Sequence, residues 1–363
     1  MNVQRLFKRP LILAVAALAV GVSACSSSSS SSTAASGGGS SSAGATSSTG
    51  ASSSAAPSGA PVTGAPEQPN ITVGALPSAD SVTLQIAEDK GFFKQQGLNV
   101  KVTTETTTNA GTQGLLSHTM AFTSENYVGM FAQQQAVKGL NLKIVADNSQ
   151  TSPNLYVMLV PKDSPLTSIA QLKGKKVGFP APGFNFGSMA ADILMKPYNE
   201  SSADFTTVVL PFSSAMQALA THQVDAIFTT EPFITTSEAA AGDRVLTDML
   251  SGPLAGFPTA CWGTTASFVQ QNPKTVAAFQ RAMTEATQVA ATNTAYVRSE
   301  LPKWIPTMKP AIANVITLPT YNTTLTLARM QRVASVVEGL GHLPKNFDVS
   351  SMFYPPAGSS SES

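Results

Sequence analysis

Asn70 opens a region in which short apolar runs alternate with longer amphipathic ones. Residues 71–75, 98–103, 120–123 and 142–146 are short, apolar and bounded by turn residues, and read as strands. Residues 82–90, 109–117 and 127–137 lie between them and read as helices, the first closed by Gly91. Residues 155–160 form an unbroken apolar run, the mark of a strand buried on both faces. After Asp163-Ser164-Pro165 the alternation starts again. Residues 169–172 read as a brief helix stopped by Gly174, residues 176–179, 208–210 and 224–229 as strands, and residues 187–196, 215–222 and 233–241 as helices. Beyond Pro273 the chain turns helical, over 274–298, 311–315 and 325–340. This alternation predicts an α/β fold of mostly parallel sheets flanked by helices.

The two series share a plan. Val73-Gly74-Ala75-Leu76-Pro77 in the first corresponds to Val177-Gly178-Phe179-Pro180 in the second. Ser117-His118, a strand and Thr123-Ser124-Glu125-Asn126-Tyr127-Val128 correspond to Thr221-His222, a strand and Thr229-Thr230-Glu231-Pro232-Phe233-Ile234. Two lobes of similar topology are therefore expected: 68–160 with 260–350, and 161–259. The chain would cross between them near Val160-Pro161 and within 258–262, leaving 351–363 as a disordered tail.

The N-terminus has a different character. Arg5, Lys8 and Arg9 precede an apolar stretch over 11–20, which ends in Val22-Ser23-Ala24-Cys25. This is the layout of a secretory signal, with an apolar part shorter than the ~20 residues of a spanning helix. Val22-Ser23-Ala24-Cys25 resembles a bacterial lipobox, which implies removal of residues 1–24 and lipid on Cys25. Residues 26–66 are Ser, Ala, Gly, Pro or Thr except for Val62. Such a segment buries nothing and is expected to be a disordered linker over 25–67, with a root-mean-square span of about 35 Å.

Charge narrows the function. The 363 residues carry 22 Lys and Arg against 21 Asp and Glu, so no basic excess exists to hold nucleic acid. Loss of residues 1–24 removes three basic and no acidic groups, leaving any membrane hold to lipid rather than to a polybasic patch.

In open α/β sheets a ligand sits beyond the carboxyl ends of the strands. The loops there supply the candidates: Asp80 and Ser81; Ser124, Glu125 and Asn126; Phe184 and Asn185; Phe212 and Ser213; Glu231 and Phe233. They hold carboxylates, hydroxyls and aromatic rings but no Lys or Arg, which suits a flat or cationic solute with N–H donors better than an oxyanion. Asp80 and Glu125 also suit the capping of a helix, and the residues alone leave both roles open. His118, His222 and His342 are isolated, without metal-ligand spacing to each other or to Cys261. No Gly-x-Ser-x-Gly elbow or phosphate-binding Gly-x-x-x-x-Gly-Lys-[Ser/Thr] loop occurs in the folded part, and no catalytic residue, cofactor or metal is expected.

Three ordered motifs resemble those of the periplasmic-type solute-binding proteins of the nitrate, sulfonate, taurine and thiamine-pyrimidine group. They are Ile86-Ala87-Glu88-Asp89-Lys90-Gly91-Phe92-Phe93-Lys94-Gln95-Gln96-Gly97-Leu98-Asn99-Val100; Asp163-Ser164-Pro165 with Leu172-Lys173-Gly174-Lys175-Lys176-Val177-Gly178; and Val224-Asp225-Ala226 with Glu231-Pro232-Phe233. The resemblance implies a type II periplasmic binding protein, whose two lobes, joined by a two-stranded hinge, close on a small solute. It also implies delivery to an ABC permease by a monomer held through Cys25 at the outer face of a bacterial cytoplasmic membrane. The solute is expected to be an amine or N-heterocycle such as an aminopyrimidine, or else taurine or an alkanesulfonate. A pyrimidine-synthase-like enzyme of the same fold is one alternative, although that branch relies on a cysteine-rich segment and Cys261 stands alone. A surface interaction lipoprotein is the other.

Overall fold

A computed structural model describes residues 63–105 and 108–358, so Cys25, the signal segment, most of the linker and 359–363 lie outside the described residues. Eleven strands are described: β1 (Asn70–Ala75), β2 (Asn99–Thr104), β3 (Phe122–Asn126), β4 (Leu142–Gln150), β5 (Tyr156–Val160), β6 (Lys176–Phe179), β7 (Thr206–Val209), β8 (Ala226–Thr230), β9 (Arg244–Asp248), β10 (Pro258–Thr265) and β11 (Thr320–Tyr321). They form two sheets, ordered β11-β4-β10-β3-β1-β2 and β7-β6-β8-β5-β9.

The sheets repeat one topology. Each starts with a strand (β1, β6) flanked by two parallel partners, β2 and β3 in the first sheet and β7 and β8 in the second. A strand arriving from the other lobe then pairs antiparallel with the third member: β10 on β3, and β5 on β8. The corresponding His118 and His222 both adopt positive φ, 56° and 54°, just past the ends of helices Thr108–Leu116 and Phe212–Ala220. The α/β class and the twofold plan are those expected from the sequence. The pairing is mixed rather than mostly parallel, because each lobe completes its sheet with strands that enter from its neighbour.

This exchange corrects the expected boundaries. Tyr156–Val160 belongs to the second sheet, bonded to β8 and β9, so the first crossing falls between Gln150 and Tyr156 rather than at Val160-Pro161. The return crossing falls between Asp248 and Pro258, and residues 258–262 are already in β10. The crossings run side by side: Thr151 N donates to the Phe257 carbonyl at 2.9 Å.

Both ends of the folded part are also longer than expected. Glu67 accepts from the backbone N–H groups of Lys274 (3.1 Å) and Thr275 (2.9 Å), capping helix Pro273–Thr292. Residues 352–354 lie along β4, with Ile144 N donating to Met352 O (2.7 Å) and Tyr354 N to Ile144 O (3.1 Å), and Met352 is fully buried. Paired backbone and a buried Met take 351–358 out of the expected disordered tail. The expected helix over 274–298 is two helices, Pro273–Thr292 and Thr294–Trp304, because Asn293 leaves helical geometry and its side chain accepts from Tyr296 N at 3.0 Å. Among the described residues no helix is long and apolar enough to cross a membrane.

Candidate functional site

The strand ends of the two lobes face each other across a cavity of about 80 Å3. A buried water needs roughly 10–15 Å3 by this measure, so the space suits a guest of one small ring. Its two walls differ in chemistry.

The first lobe supplies the acids. Asp80 follows β1, Glu105 follows β2, and Ser124, Glu125 and Asn126 end β3. All three carboxylic residues are buried, to 5%, 4% and 4% exposure. Asp80 is held by hydroxyls: Ser149 Oγ donates to Oδ1 (2.5 Å) and Tyr156 OH to Oδ2 (2.8 Å). Glu125 accepts from Gln133 Nε2 (2.7 Å) and more weakly from Thr112 Oγ1 (3.3 Å). Glu105 accepts from Thr123 Oγ1 at 2.7 Å through Oε1, while its buried Oε2 has no hydrogen-bond partner. Burial raises the Asp80 pKa against those hydrogen bonds. It lifts Glu105 to about 7 and Glu125 to about 8, where the neighbouring Glu105 charge adds to the rise.

The second lobe supplies the rings. Tyr156 stacks on Phe228 (5.9 Å between centroids, 10°) and meets Phe186 edge-on (5.1 Å, 79°); Phe212 and Thr230 complete this wall. No Lys or Arg is among the described lining residues. Nor do any three His, Cys, Asp or Glu side chains among the described residues come close enough to hold a metal ion. The acids therefore line a volume instead of converging on a point.

Asp80, Ser124, Glu125, Asn126 and Phe212 meet at this cavity, and the other candidates do not. Ser81 is a structural clamp, donating to Leu76 O (2.5 Å) and accepting from Trp304 Nε1 (3.0 Å). Asn185 caps helix Phe186–Met195 through Gly187 N and Ser188 N. Phe184 stacks on His342 at 3.7 Å, and with Asn185 it borders a larger open depression of about 770 Å3 with many solvent-exposed walls, including Lys196, Asn199 and His342. Ser213 is exposed, and Phe233 stacks behind Phe212 at 5.6 Å. Glu231 is buried but occupied elsewhere: Thr235 Oγ1 (2.7 Å) and the N–H groups of Thr235 (3.1 Å) and Thr317 (3.3 Å) donate to it. It caps its own helix and ties the second lobe to the segment before β11.

Glu105, Tyr156 and Phe228 are lining residues that the candidate loops lack. Glu105 obeys the rule that singles out Asp80 and Glu125, since it is the first residue beyond a strand. Tyr156 and Phe228 sit inside strands, and only the pairing of β5 with β8 turns them toward the first lobe.

Two α/β lobes of one topology, joined by adjacent crossings and enclosing a polar cavity at their strand ends, define a periplasmic-binding-protein fold. The chain belongs to the family described as NMT1/THI5 like, which matches residues 78–295, more than half of its length. It is 31% identical over 163 residues to a protein named "Putative thiamine biosynthesis protein" from Haemophilus influenzae (strain ATCC 51907 / DSM 11121 / KW20 / Rd); the match covers 45% of this chain and half the length of that relative. Its fold is similar to that of the alkanesulfonate-binding protein SsuA from Xanthomonas axonopodis pv. citri bound to MOPS (TM-score 0.67, 17% identity, 79% of this chain and 98% of that one). It is also similar to the periplasmic nitrate-binding protein NrtA from Synechocystis PCC 6803 (TM-score 0.65, 17% identity, 80% and 87%).

Proposed function

We propose that this chain is an extracytoplasmic solute receptor that closes its lobes on a flat, amine-bearing N-heterocycle, an aminopyrimidine or a compound of that class, and delivers it to an ABC importer. The observation that carries this reading is the opposition of three buried carboxyls and an aromatic wall with no lining cation. A cationic ring satisfies both walls at once: its N–H groups donate to the acids and its face stacks on Tyr156, Phe186 or Phe228. A sulfonate or nitrate would meet three acids without an arginine to offset them. The Haemophilus relative's name adds support, since thiamine contains an aminopyrimidine ring.

A receptor fits the site better than a catalyst. Cys261, the one free cysteine among the described residues, is buried behind Glu125, and burial pushes its thiol well above the usual range. In this reading lipid on Cys25 holds the monomer at the outer face of the cytoplasmic membrane; Cys25→Ser should release the protein from the membrane fraction.

Thermal shift against a panel of aminopyrimidines, aminopyridines, alkanesulfonates, taurine and nitrate tests the solute class. Stabilisation of about 2.7 kcal/mol is expected at a hundredfold excess over the dissociation constant of a true ligand. The amines should give it; stabilisation by sulfonates or nitrate alone, or turnover of a panel member, would contradict the reading.

A further inference from the structure

Glu105 and Glu125 are neighbouring acids, and a role for the pair in choosing the guest rests on the receptor function proposed for the cavity. Both sit against one turn of the helix Thr108–Leu116. Thr123, which donates to Glu105, is two residues before Glu125 on β3 and shares its face of the strand. Thr112 donates to Glu125, and the adjacent Gly111 abuts Glu105. The space for Glu105 depends on glycine on both sides: a Cβ on Gly74 would lie 2.2 Å from its Oε1 and one on Gly111 would lie 2.8 Å away. The carboxyl thus occupies a built cradle in a residue that lines the cavity, with one oxygen fixed and the other buried and unpartnered.

The groups around the pair leave its charge unbalanced. Asp80, with Tyr156 and Ser149 on it, is a third acid in the same cavity. Behind Glu125 lie Cys261 on β10 and Asp147 on β4. The cation on that side, Arg329, is committed to Asp147 at 2.6 Å and Gln150 at 3.0 Å. Thr112, Gln133 and the second lobe's rings and Thr230 are neutral. Two adjacent buried acids with no facing cation resist ionising together, so the ligand-free pair holds its protons to higher pH than isolated carboxyls do.

We propose that Glu105 selects the charge of the guest and that capture is an exchange: a cationic ring docks on the free Glu105 oxygen while the Glu105–Glu125 pair gives up one proton to solvent. Charge balances, since one positive guest replaces one proton. The raised positions of both groups, about 7 and about 8, put this exchange near neutral pH. A neutral guest of the same shape releases no proton and leaves the acids protonated.

Calorimetric titration of the full chain with 4-aminopyridinium, which stays charged near neutrality, tests the exchange. At about pH 7, heats in phosphate and in Tris should differ by the buffers' ionisation enthalpies times about half a proton released per guest, the fraction of Glu105 still protonated there. Affinity should rise with pH by up to tenfold per unit below about 7 and level off above it. Glu105→Gln, with its fold checked by melting, should bind the probe at least about tenfold more weakly and lose the buffer dependence; Glu125→Gln should keep it, because burial alone holds Glu105 up. Binding with the same heat in both buffers would overturn the exchange and leave the receptor function intact. Failure of the probe to bind at any pH would overturn both.

Discussion

Asp80, Glu105 and Glu125 show how differently one residue type behaves at equivalent places. Asp80 has both oxygens satisfied, Glu125 has one strong and one weak donor, and Glu105 has one oxygen free. The two glutamates hold protons in the folded chain that a free glutamate, at 4.5, has lost. The stability they contribute is full below about pH 4.5 and is lost as pH rises through about 7 for Glu105 and about 8 for Glu125. The ligand-free protein should therefore lose more melting temperature between about pH 5 and about pH 8 than the Glu125→Gln variant does. Equal slopes in the two proteins would contradict the buried, protonated state. At this scale the sequence reveals Asp80 and Glu125, which stand just beyond recognisable strands. Glu105 holds the same kind of position but hides in Thr103-Thr104-Glu105-Thr106-Thr107-Thr108, whose polarity gives no sign that one member is buried. Glu231 has the right local context, yet Thr235 and Thr317 consume its acceptors, and no local pattern foretells a donor 86 residues away.

Strands and helices were legible where hydrophobic period alone decides them. The run at 155–160 is buried throughout, as its composition predicts, but an apolar run does not say which sheet receives it. β10 is hidden for the opposite reason: Pro258, Gly263 and three threonines interrupt its apolar pattern, although it is the central partner of both β3 and β4. The break at Asn293 falls in a polar Ala-Thr-Asn-Thr stretch that continues a helix as plausibly as it caps one. Helix Phe186–Met195 shows how element packing reaches the site. A Cβ on Gly187 would lie 2.6 Å from the Phe228 ring and 2.9 Å from Phe179, so the helix rests directly on the aromatic wall. Gly187→Ala should cost about 1–3 kcal/mol in urea unfolding and also weaken ligand binding by displacing Phe228. A stable variant with unchanged affinity would show that the wall does not touch the guest.

The whole molecule is one lobe plan used twice, and function arises from what the two copies do not share. The first copy places acids at its strand ends and the second places rings, with Asp80–Tyr156 and Glu231–Thr317 joining them across the gap. The paired crossings, tied by Thr151 and Phe257, are where a change of angle between the lobes would concentrate. The internal match of motifs made this duplication readable from the sequence. The crossing points were not, because strand exchange between lobes leaves no mark on local periodicity. The most direct test of the central claim is native mass spectrometry of protein purified without refolding, with the retained small molecule identified. A nitrogen-bearing ring carrying positive charge, lost on Glu105→Gln, is the expected finding; a retained sulfonate, nitrate or carboxylate anion would contradict it.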